Sequence, residues 1–310
     1  MRRREFLRTC ARCGVACALW QVPGFLPVTN ADWGSSLTSL TPMGTATALA
    51  AGGQDLTPRV GYIAAKRSPY FTALSGGTVQ CTLCPRTCVV PPGGRGHCEV
   101  RENRDGVLVS LTYGNPCAVN VDPIEKKPFM HVLPGSRSFS IATAGCNLDC
   151  KFCQNWEISQ ARPDDTANLE LPPEAVVALA KEHGCLTIAS TYVEPTIFME
   201  YMLDVARLAQ AQGLRKVMHS CGYVNAGPLD DLCTHLDAAC IDRKGFTEAY
   251  YQDVTGGTLA PVLESLKRLK ANGVFTELVN LVLPGKSDGE AESRAMSRWI
   301  VHNLGPDTPL

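Results

Sequence analysis

Phe139-Ser140-Ile141-Ala142-Thr143-Ala144-Gly145-Cys146-Asn147-Leu148-Asp149-Cys150-Lys151-Phe152-Cys153 joins an apolar run, long enough for one strand, to three cysteines at gaps of three and two residues. Downstream the pattern repeats as apolar run and then helical segment, which predicts parallel strands joined by crossover helices. The expected strands lie near 139–144, 186–190, 215–220, 238–242 and 275–283, and the helices near 172–183, 195–212, 226–235, 259–272 and 290–303. Pro172-Pro173 and Pro195 stand where helices should begin, and Gly213 and Gly273 where they should end. The fold class is α/β, a (β/α) repeat. The cysteine loop follows its first strand at the C-terminal end, where active sites of such folds lie.

Around this repeat, the composition narrows the function classes. The chain has 310 residues, 45% hydrophobic and 19% charged, enough for a full-sized core with one large and one smaller domain. Its 29 basic and 30 acidic side chains leave no basic excess to neutralise phosphates, so nucleic acid is not an expected partner. Of 15 cysteines, ten fall in three groups: Cys10/Cys13/Cys17, Cys81/Cys84/Cys88/Cys98 and Cys146/Cys150/Cys153. Short gaps of this kind suit ligation of an ion or cluster better than a disulfide framework.

Three thiolates can bind three irons of a cubane and leave the fourth iron without a protein ligand, an open position. Cys146, Cys150 and Cys153 have that logic, whereas a zinc ion would want a fourth ligand and none stands close by in the sequence. Cys81, Cys84, Cys88 and Cys98 supply four thiolates, which close a site. Zinc, an auxiliary 4Fe-4S cluster and a small core packed with cysteines all agree with their spacing.

The C-x3-C-x2-C motif resembles that of the radical S-adenosylmethionine (SAM) superfamily. The run from Cys146 to Gln160, the segment Asp122-Pro123-Ile124-Glu125-Lys126-Lys127-Pro128 and the upstream Cys81-x2-Cys84-Pro85-Arg86-x-Cys88 are similar to the AmmeMemoRadiSam group, relatives of pyruvate formate-lyase activating enzyme. The resemblance covers most of the chain after residue 58. It implies a partial (β/α)6-type TIM barrel and an enzyme of oxidoreductase type: a 4Fe-4S cluster on Cys146, Cys150 and Cys153 reductively cleaves S-adenosylmethionine to a 5'-deoxyadenosyl radical. That radical would abstract hydrogen from a protein or small-molecule substrate, the nearest analogy being glycyl-radical activation of a partner enzyme, with a ferredoxin or flavodoxin as reductant. The competing class is a non-catalytic iron-sulfur or electron-carrier protein that has lost cofactor binding.

The same resemblance assigns cofactor contacts. Glu194, in Thr191-Tyr192-Val193-Glu194-Pro195, occupies the place of a segment that binds the cofactor's amino group, where a carboxylate would pair with an ammonium. The structural alternative is an acidic residue favoured beside a helix N-terminus. Asp242 and Lys244, in Ile241-Asp242-Arg243-Lys244-Gly245, match an Asp-x-Lys near cofactor and substrate, and alternation turns both to one side of the strand. Their alternative is a structural salt bridge. Ser220-Cys221-Gly222 stands where the relatives carry Ser/Thr-Asn-Gly, so Ser220 is a cofactor candidate without the usual Asn beside it. His219 is read as a satisfied core histidine and His97 as a residue behind the ligands or on the surface.

The expected organisation is a leader and linker over 1–57, a Cys-rich accessory module over 58–137 and the barrel over 138–310. The opening Arg2-Arg3-Arg4-Glu5-Phe6-Leu7-Arg8 resembles a twin-arginine signal, which would export the folded protein to the periplasm, whereas the supplies for radical chemistry are cytoplasmic. Residues 13–28 are too short and too broken by Pro23, Gly24 and Pro27 for a membrane span, and Cys10, Cys13 and Cys17 are read as leader residues. At the other end, Gly305-Pro306-Asp307-Thr308-Pro309-Leu310 falls where the relatives begin a sixth barrel strand. The barrel should therefore stop short and leave strand 275–283 as an open, self-associating edge.

Overall fold

A computed structural model describes residues 56–310. The leader, its three cysteines and its export motif lie outside the described residues. At the centre is a six-stranded sheet of β1 (Ala118–Pro123), β2 (Arg137–Ala142), β3 (Thr187–Ser190), β4 (Arg215–Ser220), β5 (Ala238–Arg243) and β6 (Phe275–Asn280), in that spatial order. Strands β2 to β6 are parallel neighbours in chain order, as in a partial barrel, and β1 adds antiparallel to β2. The crossovers carry α1 (Pro173–Glu182), α2 (Met199–Ala211), α3 (Ala226–Cys233) and α4 (Leu259–Ala271), and α5 (Glu290–Asn303) follows β6. Each expected strand and helix is present. The strand expected at 139–144 forms at 137–142, that at 275–283 ends at 280, and Pro195–Phe198 is a 3-10 turn before α2.

Alternation sorts the strand residues onto two faces. Phe139, Ile141, Ile188, Met218, Ala239, Ile241 and Leu278 pack under the helices in the main core. Ala189, Val217, Ala238 and Cys240 point into the lumen, whose floor is closed by Ile124 and Phe129. The floor segment is fastened by Glu277, which accepts the backbone N–H groups of Met130 and His131 at 3.0 and 2.9 Å.

Strand β1 comes from the stretch expected to end the accessory module. Val119 and Val121 join the outer core, while Asn120 and Asp122 face the lumen beside Ser140 and Ser138, their register partners on β2. The remainder of the Cys-rich stretch enters three small antiparallel sheets, Lys66–Arg67 with Val107–Ser110 and Arg101–Arg104, Phe71–Ala73 with Val79–Cys81 and Val89–Val90, and Arg59–Val60 with Ala167–Asn168. At the opposite edge, Leu278 donates to Pro309 O at 2.9 Å, so the C-terminal residues already cover part of β6. Among the described residues no helix is long and apolar enough to cross a membrane.

Lys216 on β4 is 1% exposed, and its Nζ donates to Ser190 Oγ at 2.7 Å and Ile188 O at 3.3 Å, neither of them anionic. Burial lowers the ammonium from its ordinary value to about 7. The unfolded chain therefore binds the extra proton between about pH 7 and 10, and this group makes stability rise with pH across that window. Lys216→Met should be more stable than the parent at pH 7, and the difference should shrink by about 1 kcal/mol per pH unit toward pH 10 in urea unfolding.

Candidate radical site at the top of the barrel

The loop after β2 carries the three cysteines. It has no ladder of its own, so its backbone is held by neighbours. Gly145 N donates to Ile158 O, Asp149 N to Thr255 O and Lys151 N to Val254 O, at 2.8, 2.8 and 3.0 Å. Asn147 Nδ2 reaches Tyr223 O at 2.8 Å. Gly145 has φ of +89°, and a Cβ there would stand 2.4 Å from Cys98 O and 2.6 Å from Val100 Cγ1. Only glycine lets the loop lie this close to the Cys-rich module.

That module grips the loop by side chains that spacing alone does not reveal. Arg86 Nε donates to Asn147 O at 2.6 Å, and its Nη2 donates to Asp149 Oδ2 at 2.8 Å and Gly256 O at 3.0 Å. His97 Nε2 meets Asp149 Oδ1 at 2.8 Å, so it is a clamp on the loop. A second grip is buried: Arg101, 1% exposed, donates from Nε and Nη2 to Ile197 O at 3.1 and 2.7 Å and forms an ion pair with Glu200. Ile197 lies in the turn that follows Glu194. One module thus fixes both the cysteine loop and the neighbouring strand end.

Backbone N–H groups of Leu148 and Glu194 favour the Cys146 thiolate, against burial. Desolvation pushes its thiol up to about 12 and that of Cys150 to about 11, with Lys244 pulling the latter down. Neither thiol ionises on its own at neutral pH, and a bound cation is what would remove the proton. In the module the same local pattern recurs, with N–H groups of Leu83, Arg86 and Val100 favouring the thiolates of Cys81, Cys84 and Cys98, and His97 N 3.5 Å from the sulfur of Cys88. None of the cysteines in the described residues forms a disulfide. Among the described residues no three His, Cys, Asp or Glu side chains stand close enough to share a single ion. A cubane puts each thiolate on a different iron and so does not ask its ligands to meet around one ion. The donor set, three thiol side chains on one loop with no carboxylate or imidazole among them, fits an iron-sulfur cluster.

Glu194 is wholly buried and caps the 3-10 turn. Its Oε1 accepts from Ser220 Oγ at 2.7 Å and from Thr196 N and Oγ1 at 3.2 and 2.9 Å, whereas Oε2 accepts from Cys221 N at 2.7 Å. Burial raises its carboxyl above the usual range against these four donors. A carboxylate offers about four acceptor positions, so Oε2 keeps capacity for a further donor such as an ammonium. Ser220 is committed to Glu194 and to Gly222 N, which makes it a support for the carboxylate. Asp242 and Lys244 do share a side and are hydrogen-bonded to each other. Against burial, Cys221, Asp242 and Cys150 hold the Lys244 ammonium above its ordinary range, which brings the pair and Cys221 together beside a cysteine of the loop. His219 is not the satisfied core histidine expected from sequence, because its Nε2 is buried without a hydrogen-bond partner and burial lowers its pKa to about 4. Val193 is 7% exposed and packs in the core.

The family model described as Radical SAM superfamily matches residues 140–295. An uncharacterized protein of Methanocaldococcus jannaschii, MJ0808, is 39% identical over 245 residues, which are 79% of this chain and 73% of that protein. The isethionate sulfite-lyase activating enzyme of Desulfovibrio desulfuricans is 28% identical over 125 residues, 39% of either chain. Among solved structures, a domain of pyruvate-formate lyase-activating enzyme from Bacteroides vulgatus overlaps 36% of this chain and 69% of its own length, with 13% identity and a TM-score of 0.34.

Arg86→Ala removes three hydrogen bonds to the loop and its partner Gly256, one of them to a charged group. The variant should stay folded, with the main core untouched, but lose reconstituted iron several-fold faster on dilution into chelator than the parent. Equal rates of iron loss would show that the loop holds itself.

Proposed function

The chain belongs to the radical SAM superfamily, and on that premise we propose that it binds a 4Fe-4S cluster through Cys146, Cys150 and Cys153 and uses it to cleave S-adenosylmethionine and abstract hydrogen from a substrate held in the barrel. The observation that carries this reading is the convergence at one barrel end of the three-cysteine loop, the buried Glu194 carboxylate and the Asp242–Lys244 pair. When bound, cluster and cofactor supply one-electron reduction of a sulfonium and a carbon-centred radical that takes a hydrogen atom.

The chain's own residues have separable tasks in this reading. Cys146, Cys150 and Cys153 hold iron and leave one position open. Glu194 offers Oε2 to an ammonium, with Ser220, Thr196 and the Cys221 N–H fixing its orientation. Lys244, kept charged beside Asp242, offers a cation at the rim, and the half-buried loop cysteines sit away from bulk water. A low-potential carrier of the ferredoxin or flavodoxin type would deliver the electron. The four-cysteine module is given a second iron-sulfur cluster and not zinc, since no three of its thiols stand close enough to share one ion. Its task would be mechanical: to stiffen the turns that carry Arg86 and His97 and the strand that carries Arg101 into the two grips. The His97 N–H on the Cys88 sulfur at 3.5 Å, and the backbone N–H groups that favour the thiolates of Cys81, Cys84 and Cys98 against burial, support this assignment. The partial likeness to isethionate sulfite-lyase activating enzymes favours a second reading of the substrate, a partner protein in which a glycyl radical is made.

The test is cofactor cleavage by anaerobically reconstituted and reduced protein. The parent should release 5'-deoxyadenosine, and Cys150→Ala should release none. Glu194→Gln should cut the yield about tenfold or more while iron content stays near normal, since a charge-assisted contact is lost and no iron ligand is touched. A parent that carries iron yet releases no 5'-deoxyadenosine would be an electron carrier, and the proposal would fall.

A further inference from the structure

Below the cluster loop, the barrel lumen changes character. Its floor is apolar, built by Ile124, Phe129, Val217 and Cys240. Above the floor stands a polar group that the chemistry described so far does not use. Lys127 is 0% exposed and donates to Asp122 Oδ2 at 2.5 Å and to the Tyr192 hydroxyl at 2.8 Å. The Tyr192 hydroxyl donates in turn to Asp122 Oδ2 at 2.8 Å and accepts from Asn120 Nδ2 at 3.1 Å. Tyr192 reaches them only by adopting φ of +68°, a left-handed conformation that a bulky residue rarely takes. Its carbonyl is held from above by Asn155 Nδ2 at 2.7 Å, two residues past Cys153. The tyrosine therefore links the lumen directly to the cluster loop.

A buried ion pair is a poor way to stabilise a core, because apolar residues of the same volume do as well or better. This one is retained above an apolar floor and beside polar atoms left without partners. Ser138 is wholly buried, faces the lumen opposite Asp122, and its Oγ has no hydrogen bond. Asp242 Oδ1 and His219 Nε2 also make no hydrogen bond, Nε2 standing 3.8 Å from Asp242 Oδ2, and the His219 ring feels the charges of Asp242, Lys244 and Lys127 together. Lys127 has a third N–H beyond the two already donated. The set thus lacks an acceptor at the Lys127 end and a donor at the Asp242 end.

We propose that the lumen between Lys127 and Asp242 is the substrate site, and that it takes a small polar acid carrying a hydroxyl or amine, the chemistry of a hydroxy or amino acid. The inference rests on the radical reading of the cluster loop and goes beyond it by naming the substrate class. The acid group takes the free N–H of Lys127 and the Ser138 hydroxyl. The hydroxyl or amine donates to Asp242 Oδ1. His219, kept neutral by burial, completes the polar shell. The closed floor suits a compact molecule, whereas an enzyme loop presented by a partner protein would bring backbone amides to a charged pair that they do not match.

The experiment uses the holoenzyme and isotope transfer. Native cells are grown in deuterated medium, and their extract is split by ultrafiltration into small-molecule and macromolecular fractions. Each fraction is incubated with reduced, cluster-loaded protein and unlabelled S-adenosylmethionine, and deuterium is read in 5'-deoxyadenosine per molecule released. The expected result is label from the small-molecule fraction, reduced about tenfold in Lys127→Met, as for loss of one hydrogen bond to a charged group. Ser138→Ala should show a smaller loss with an unchanged or raised melting temperature, since it removes an unsatisfied buried hydroxyl; this separates binding from folding. Label from the macromolecular fraction alone, label from neither fraction, or undiminished transfer by both variants overturns the proposal. If the parent releases no 5'-deoxyadenosine at all, the radical reading itself fails and takes this one with it.

Discussion

The guanidinium of Arg86 bridges three pieces of backbone and side chain that no regular structure joins: the Asn147 carbonyl, the Asp149 carboxylate and the Gly256 carbonyl. Most of what is distinctive in the molecule depends on this joint and its buried counterpart, Arg101 on Ile197 O and Glu200. A loop that must present three thiols cannot also satisfy its own backbone, and a strand end that must present a buried carboxylate cannot relax outward. The Cys-rich module solves both problems from one side. It lies so near the loop that residue 145 must be glycine. The planar fork of arginine suits the task, since it can satisfy a carboxylate and carbonyls at once, where a lysine would satisfy them only one by one.

The barrel divides its interior by depth. Apolar residues close the floor, a hydrogen-bonded ion pair with unpartnered neighbours stands above it, and the cysteine loop stands at the open end. Unpaired buried polar atoms cost about 1–3 kcal/mol each, so a domain whose net stability is about 5–15 kcal/mol keeps few of them without cause. Those of Ser138, His219 and Asp242 face the lumen, where a ligand can offset the cost. Lys216, on the outer face, is the contrasting case. Its ammonium is hydrogen-bonded, no ligand route is visible, and the burden is expressed as pH-dependent stability.

The sequence made the parallel strands legible because each is an apolar run bounded by helix starts and stops, a local signal. The cysteine loop and the shared side of Asp242 and Lys244 were legible for the same reason, spacing along a single element. Contacts made at long range were not. Arg86 and Asp149 are 63 residues apart, and Arg101 and Ile197 are 96 apart, so no local pattern joins them. Strand β1 hid within the Cys-rich stretch, although the alternation Val119-Asn120-Val121-Asp122 was there to be read as one face out and one face in. His219 looked like an ordinary core histidine until its empty Nε2 could be seen. The left-handed Tyr192 had no signal at all, since glycine and asparagine are the residues that announce such a turn.

The central claim is that three cysteines hold a cluster with one iron left open to S-adenosylmethionine. The direct measurement is electron-nuclear double resonance on the reduced, reconstituted protein, with the cofactor's methionine amino nitrogen labelled with nitrogen-15. A nitrogen-15 coupling to the cluster, present in the parent and absent from Cys150→Ala, is the result this account requires. A well-formed cluster that shows no coupling to the labelled nitrogen would contradict it, because the fourth iron would then be closed.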